Sequence, residues 1–361
     1  MKALILNSGS STLKWAVLEA PSGRVVASGT ESWSGPVAEQ IRAHLAGLPS
    51  LGAVGHRVVH GGLDFSEAVV VDDAVREKLD GLVALDALHL PRQLAGIDAA
   101  SAAFPGVPQV VAFDTSFHAT MPEAASGYAL PYEWSEGWGL KRFGFHGLSV
   151  AWSVDRVRGL AGGLPERLVV CHLGSGCSVT AVAAGRSVDT TMGFTPLEGL
   201  VMSTRVGSID AGLVLHLIRE RGIAPDELQA TLTSRSGLLG ASGVSGDLRK
   251  VLAAADGGNA RARLAYQRFI LSLRRAMGAA AGVLGGADAV VFTGGVGENS
   301  VRVRADAAPA LGLRLDEAAN AATPNDVEIS AGGAAVRAFV VHAREDVMVL
   351  REVERLLGWP P

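Results

Sequence analysis

Short apolar runs separated by clusters of glycine and serine open the chain. ALIL, LKWAVLEA and RVVASGT fall within the first thirty residues, divided by Ser8-Gly9-Ser10-Ser11 and Pro21-Ser22-Gly23. Runs of this length bounded by turn residues predict three strands in an antiparallel meander. Residues 168 to 191 repeat the layout as LVVCHLGSGCSVTAVAAGRSVDTT, with a Gly/Ser turn after Leu173 and a short turn at Ala184-Gly185. A repeated layout predicts two related lobes, each opening on a meander. Elsewhere strands alternate with helical patterns. QVVAF (Gln109 to Phe113) reads as a strand. Asn259 to Leu284 reads as a long helix, with Leu264, Phe269, Leu273 and Met277 near helical spacing and Gly285-Gly286 as its stop. The strand DAVVFT follows, then GGVGENS as a glycine loop, then another helical pattern. Such a unit places ligands at the carboxyl end of its strand. The fold class predicted is α/β, and the final helix, Glu345 to Leu357, is expected to pack back on the first lobe.

Length and composition narrow the class. At 361 residues the chain suits two domains, at roughly 100–200 residues each, and a cleft between two lobes is expected. It is 48% hydrophobic with 45 glycines, as in a globular protein with many tight turns. A net charge of -4, with acids and bases interspersed, offers no basic stripe for nucleic acid and no polybasic membrane patch, so small-molecule partners are expected. The two cysteines, Cys171 and Cys177, are too few for a disulfide framework and lack the second pair of a zinc site; free thiols in a reducing cytoplasm are expected. The apolar run in MKALILNSGSS is too short for a signal peptide. The stretch Ala276 to Gly295 is broken by Asp288 and falls short of the about 18 uninterrupted apolar residues of a spanning helix.

Three segments have the chemistry of phosphate loops, in which backbone N–H groups approach an anion and hydroxyls add donors. The first is NSGSSTLK, offering Asn7, Ser10, Thr12 and Lys14; the second is HLGSGCS, residues 172 to 178; the third is GGVGEN, residues 294 to 299. None is a GxxxxGK[ST] loop. Taken singly, each is a weak signal, since a Gly/Ser turn between strands is more often a plain hairpin. Arg57 in GHRVVHGG, Asp114 at the end of an apolar strand, His146 in FGFHG and Arg205 in STRVGSID supply charge. Asp114 reads as a catalytic or metal carboxylate or as a helix N-cap. Each arginine reads as an anion clamp or a structural ion pair.

In order along the chain stand NSGSSTLK, GHRVVHGG, FDTSFHATMPEAASGYALPY, RFGFHG, VDTTMGFTPLEGL, SGLLGASGVSGDLR and FTGGVGENS. In these strings, from Leu6 to about Val353, the sequence resembles the acetokinase family of the sugar kinase, Hsp70 and actin superfamily. The resemblance implies two duplicated ribonuclease H-like (actin-like ATPase) lobes with mixed sheets, residues 1–118 with 347–361 on the acyl side and 119–346 on the nucleotide side. It implies direct phosphoryl transfer from ATP to a short carboxylate, with Mg2+ (Mn2+ as substitute) required, in a cytoplasmic homodimer. Carried over by motif, Arg57, Arg205, His146, His89 and Asp114 are the catalytic residues, and Asn7, Ser10, Thr12 and Lys14 bind phosphate. Asn7 and Glu345 hold the metal. His172, Gly174, Ser175, Gly176, Asp247, Leu248, Arg249, Gly295, Val296, Gly297, Glu298 and Asn299 bind ATP, and Val59, Leu88, Phe145 and Pro196 form the acyl pocket.

The chain departs from the family pattern in HLPRQ for HNPAN, in Ser175 for asparagine, in Leu148 and Val150 for Thr and His, and in Ser203 and Ser208 beside Arg205. These changes touch the supporting shell of the site, which sets activity and preference. A propionate or other short-chain acyl kinase is the near alternative. An actin- or Hsp70-like nucleotide-binding regulatory protein is the alternative of another class, which would need the phosphate loops but not Arg57, Arg205, His89 and His146 together.

Overall fold

A strand without a polar face belongs inside a sheet covered on both sides, and Ala3 to Leu6 are all buried. The computed structural model describes residues 1–8, 12–32, 50–86 and 89–360. It places this run in β1 (Lys2–Ser8), with Ala3 and Ile5 packed among Val349, Leu350 and Val353 of the last helix, Glu345–Leu357. On the other face Leu4 and Leu6 meet Ala99 and Ala100 of the helix Leu90–Ala103. Each apolar side chain buried from the last helix contributes roughly 1.5–3 kcal/mol.

β1 pairs antiparallel with β2 (Thr12–Glu19), which pairs antiparallel with β3 (Arg24–Ser32). On its other side β1 runs parallel to β4 (Ala53–Val58), and β4 parallel to β6 (Gln109–Phe113), with the short β5 (Val69–Val70) antiparallel at the edge. The order is β3-β2-β1-β4-β6-β5. The second sheet, of β7 (Arg167–Leu173), β8 (Cys177–Ala183), β9 (Arg186–Thr190), β10 (Ala289–Thr293), β11 (Val327–Glu328) and β12 (Arg337–Val340), has the order β11-β12-β10-β7-β8-β9. It is the first sheet over again, in order and strand direction. Even a register shift recurs, between Val17 and Leu18 in β2 and between Ala181 and Val182 in β8. The duplicated meander read from turn residues is thus a duplicated six-stranded sheet.

The chain divides into two compact units. The first comprises Met1–Ala119, Phe145–Trp152 and Arg344–Pro361; the second comprises Thr120–Gly144 and Ser153–Ala343. In the second, the helix Ala260–Leu284 starts at Asn259, whose side chain accepts the Ala262 N–H, and ends at Gly285 in a left-handed conformation. Ala262, Tyr266, Phe269, Leu273, Met277 and Ala280 form its buried stripe. Leu264, read as part of that stripe, is 46% exposed. It lies two residues before Tyr266, about 200° away around the helix. GGVGEN also differs from expectation: Gly294–Asn299 is a short helix rather than a loop. Among the described residues no helix is long and apolar enough to cross a membrane. Cys171 and Cys177 are free and buried.

Two buried histidines of the first unit carry a pH consequence. His56 Nε2 lies 2.7 Å from Gln109 Oε1 and His118 Nε2 lies 2.9 Å from the Phe145 carbonyl, so each neutral ring donates from Nε2. Burial pushes both from the ordinary 6.5 down to about 4. The unfolded chain therefore takes up more protons than the folded one below pH 6.5. Stability present above that pH is expected to be lost as pH falls toward 4, and thermal melts across this window check it: a flat melting temperature would contradict it.

Candidate active site

Paired residues of a β-ladder project to the same face, and one such row crosses the first sheet. Lys14 on β2 stands opposite Asn7 on β1, Asn7 opposite Arg57 on β4, and Arg57 opposite Ala112 on β6. Asp114 follows two residues later, with its N–H on the Val58 carbonyl. The Arg57 guanidinium closes on Asp114 with both oxygens engaged, Nε to Oδ1 at 2.9 Å and a terminal nitrogen to Oδ2. Its other terminal nitrogen donates to Asn7 Oδ1 at 3.0 Å. Glu345, first residue of the last helix, sets Oε2 3.3 Å from Arg57 Nε and accepts from Asn7 Nδ2 at 3.3 Å. Asn7, Arg57, Asp114 and Glu345 therefore form one cluster, with two carboxylates facing one guanidinium.

Burial pushes the Asp114 carboxyl up, and Glu345 adds to this, against the pull of Arg57 and the His146 N–H. Burial opposes the charge on Arg57, but Asp114 and Glu345 outweigh it and hold the guanidinium above its ordinary value. The Asp114 carboxylate is engaged by Arg57. The FGFHG string has a backbone reason. His146 takes a left-handed φ of 60°, a conformation costing about 1–3 kcal/mol outside glycine. Gly147 then donates its N–H to the Asp114 carbonyl at 2.8 Å, so close that a Cβ on Gly147 would sit 2.3 Å from that oxygen.

His89 precedes the helix Leu90–Ala103, and its Nδ1 lies 2.9 Å from both oxygens of Asp86. A ring held at Nδ1 by a carboxylate presents Nε2 to a ligand. Asp86 was not singled out by sequence reasoning; its signal was an acid three residues before a histidine at a helix start. Gln93 of HLPRQ is buried and ties two strand ends together, accepting the Val59 N–H at 3.0 Å and donating to the Ser8 carbonyl at 3.2 Å. Val59 and Phe145 are buried, with the His60 ring edge-on to Phe145 at 5.5 Å. Thr12 opens β2 half-buried, and Lys14 is exposed. Ser10 and Leu88 lie outside the described residues.

The second unit carries the equivalent row, Ser178 on β8, His172 on β7 and Thr293 on β10. The Gly174-Ser175-Gly176 turn closes by a bond from Gly174 N–H to the Gly176 carbonyl at 2.9 Å, and the Ser175 carbonyl accepts the Ser203 N–H. Burial pushes the Cys177 thiol up to about 12, so it serves as a neutral packing group. In the helix Gly294–Asn299, which holds Gly295, Val296, Gly297, Glu298 and Asn299, the Asn299 side chain donates to the Gly295 carbonyl. Fully buried Arg304 grips the Gly297 and Glu298 carbonyls at 2.8 Å each and reaches Asn320 with its other nitrogens. The Glu298 carboxylate accepts the Ala343 N–H at 2.9 Å. Asp247 caps the helix Leu248–Asp256, in which Leu248 is buried, and pairs with exposed Arg249, which holds the Asp247 carboxyl down at about 2. Arg205 is half-buried and donates to the Pro196 carbonyl at 3.2 Å.

A cavity of ≈ 730 Å³ in the second unit lies where β7 begins, lined by Pro122, Arg142, Arg167, Asp189 and Leu284 among others. None of the candidate site residues lines it, and the strand ends carrying His172 and Thr293 are at the other edge of the sheet. Among the described residues, no three of His, Cys, Asp and Glu stand together as a metal cage. Mg2+ held with substrate phosphates needs only one or two carboxylates and keeps the remaining positions for phosphate and water. Glu345, Asp114 and the Asn7 amide oxygen fit that lesser demand.

Two sheets of one order, each ending β1-like and β4-like strands in polar side chains, define the class: a duplicated actin-like ATPase fold. The chain matches the acetokinase family over residues 37–351 and belongs to that family. It is 40% identical to an acetate kinase of Dictyoglomus turgidum over 99% of this chain and 98% of the relative, and 43% identical to one of Deinococcus radiodurans over the same shares. The crystal structure of Porphyromonas gingivalis acetate kinase matches with a TM-score of 0.90 at 33% identity, covering 99% of each chain. A propionate kinase of Francisella tularensis matches with a TM-score of 0.91 at 31% identity, covering 98% of this chain and 99% of that one. The chain is a kinase.

Proposed function

We propose that this kinase transfers the γ-phosphoryl group of ATP directly to acetate, reversibly, giving ADP and acetyl phosphate. The observation that carries the reading is the Asn7–Arg57–Asp114–Glu345 cluster at the strand ends of the first sheet. A carboxylate oxygen attacks the γ-phosphorus while the bond to the ADP oxygen breaks, through a loose transition state with charge spread over the phosphoryl oxygens. No covalent nucleophile is needed; positioning and cations are. In this reading Arg57 and Arg205 face the carboxylate and the moving phosphoryl group. His146 and the Asp86-oriented His89 donate hydrogen bonds to it. Asp114 holds Arg57 in place. Asn7 and Glu345 would hold Mg2+, which supplies charge neutralisation on the phosphate oxygens. His172, the Gly174–Gly176 turn, Asp247 to Arg249 and the helix Gly294–Asn299 receive the nucleotide, and Val59, Leu88, Phe145 and Pro196 the acyl methyl. The protein works as a cytoplasmic homodimer.

The likeness to a propionate kinase favours a second reading, propionate as the preferred acid. One methylene in a pocket is worth about 1–3 kcal/mol, so the two are separated by assay. Purified protein with Mg-ATP and acetate, propionate or butyrate, with hydroxylamine as trap, is expected to give acetyl hydroxamate at the highest kcat/KM. Excess chelator should abolish the product and added Mg2+ restore it. Higher kcat/KM for propionate selects the second reading, and no hydroxamate from any acid overturns both.

A further inference from the structure

Resting on the phosphotransfer reading, we propose that Tyr128, Arg142 and Glu198 form a positioning brace that sets Arg205 and Pro196 without touching substrate. Residues 191–200, TMGFTPLEGL, belong to no helix or strand, and beside a few backbone bonds at Thr191, Gly193 and Gly199 their path is held by side chains. One terminal nitrogen of Arg142 donates to the carbonyls of Thr190, Thr191 and Met192 at 3.1–3.2 Å, and the other to Glu198 Oε1 at 2.9 Å. The Tyr128 hydroxyl donates to Glu198 Oε2 at 2.6 Å and accepts the Phe194 N–H at 2.9 Å. The two arms of the loop, 190–194 and Glu198, are thereby tied to each other. The junction is tight: a Cβ on Gly193 would lie 1.8 Å from Glu198 Oε2 and 2.1 Å from the Tyr128 oxygen. Burial, with Glu198 adding, pushes Tyr128 up to about 12, so the phenol keeps its proton at neutral pH.

The far side of this loop holds the arginine. The Pro196 carbonyl accepts from Arg205 at 3.2 Å. Gly199 takes the Ser208 N–H on its carbonyl at 2.9 Å and gives its own N–H to the Ser208 hydroxyl at 3.2 Å. The side chain of Arg205 and the backbone that follows it are thus both fastened to a segment whose shape is set by Glu198. A shift of that segment moves a phosphoryl-facing cation and one wall of the acyl pocket together.

The test uses Tyr128→Phe and Glu198→Gln in the full-length enzyme. Both are expected to lower kcat/KM for the carboxylate by about ten-fold, the size of one charge-assisted hydrogen bond. The acetate-to-propionate preference should shift, while the dissociation constant for ADP stays at the wild-type value. Amide exchange measured on the same proteins should speed up at Ser208 as well as at Phe194. A residue that merely supports the fold would lower melting temperature and ADP affinity together and leave the substrate preference unmoved; that result overturns the proposal, as does wild-type kcat/KM in both variants. If Glu198→Gln fails to fold, the near-isosteric Tyr128→Phe decides alone. If the wild-type protein forms no acyl phosphate, the phosphotransfer reading falls. Exchange confined to Phe194 would then overturn the brace separately.

Discussion

Arg57→Ala is expected to lower kcat by about 10³–10⁵-fold, the range that a transition-state arginine supplies in other phosphotransferases. The structure adds a second effect. Arg57 is the shared partner of Asp114, which is 2% exposed, of Glu345 and of the Asn7 amide oxygen. Removing it takes their shared counter-charge from two carboxylates, and breaking a buried pair from one side costs about 3–5 kcal/mol. Lower melting temperature should therefore accompany the lost turnover. Arg57→Lys keeps the charge but not the two-pronged geometry, and is expected to regain stability well before activity. Hydroxamate assays beside thermal melts check both statements. Near-normal kcat in a folded Arg57→Ala protein would remove the cluster from the mechanism.

Gly147→Ala is expected to lower kcat by about 100-fold, the penalty for a displacement of about 1 Å near a reacting centre. The added methyl would sit 2.3 Å from the Asp114 carbonyl oxygen and 3.0 Å from Phe117 Cβ. A carbonyl cannot rotate away as a side chain can, and this one already receives the Gly147 N–H. Either Asp114 or the start of the helix Gly147–Leu160 must move, taking the Arg57 pair or the left-handed His146 with it. Overpacking of this kind costs about 1–3 kcal/mol, so the variant should remain folded and its loss of kcat be measurable. Wild-type kcat and melting temperature together would show that the close approach is not a constraint on the site.

Much of the fold was legible because local chemistry and global packing agree. ALIL and LVVC are short apolar runs bounded by Gly/Ser turns, which reads as strands of a meander, and both are strands buried on either face. The helix Ala260–Leu284 carries its own cap and stop residues. Where the sequence misled, packing and hydrogen bonding had overruled the local signal. GGVGEN is rich in glycine yet helical, with buried Arg304 donating to the Gly297 and Glu298 carbonyls. Leu264 is apolar yet exposed, because the stripe that meets the sheet follows Ala262, Tyr266 and Phe269 instead.

The candidate site divides along the same line. Asn7 was singled out for its place in a strand-end loop, Asp114 for its place at the end of an apolar strand and Arg57 for its charge in GHRVVHGG, their roles coming from the family resemblance. That Asn7 touches Glu345, 338 residues away, was not in any local pattern. Asp86 left only the weak mark of an acid three residues before His89, and Tyr128, Arg142 and Glu198 left none, since each is an ordinary polar residue until its partners, 56 to 70 residues off, are in place. The sequence by itself determined the duplicated strand pattern, the turns and the types of chemistry available at the strand ends, because periodicity and turn preferences act over a few residues. The tertiary structure alone decided which carboxylates share one guanidinium and which loop holds Arg205, because charge pairing and close backbone approach depend on distances that only the packed chain defines.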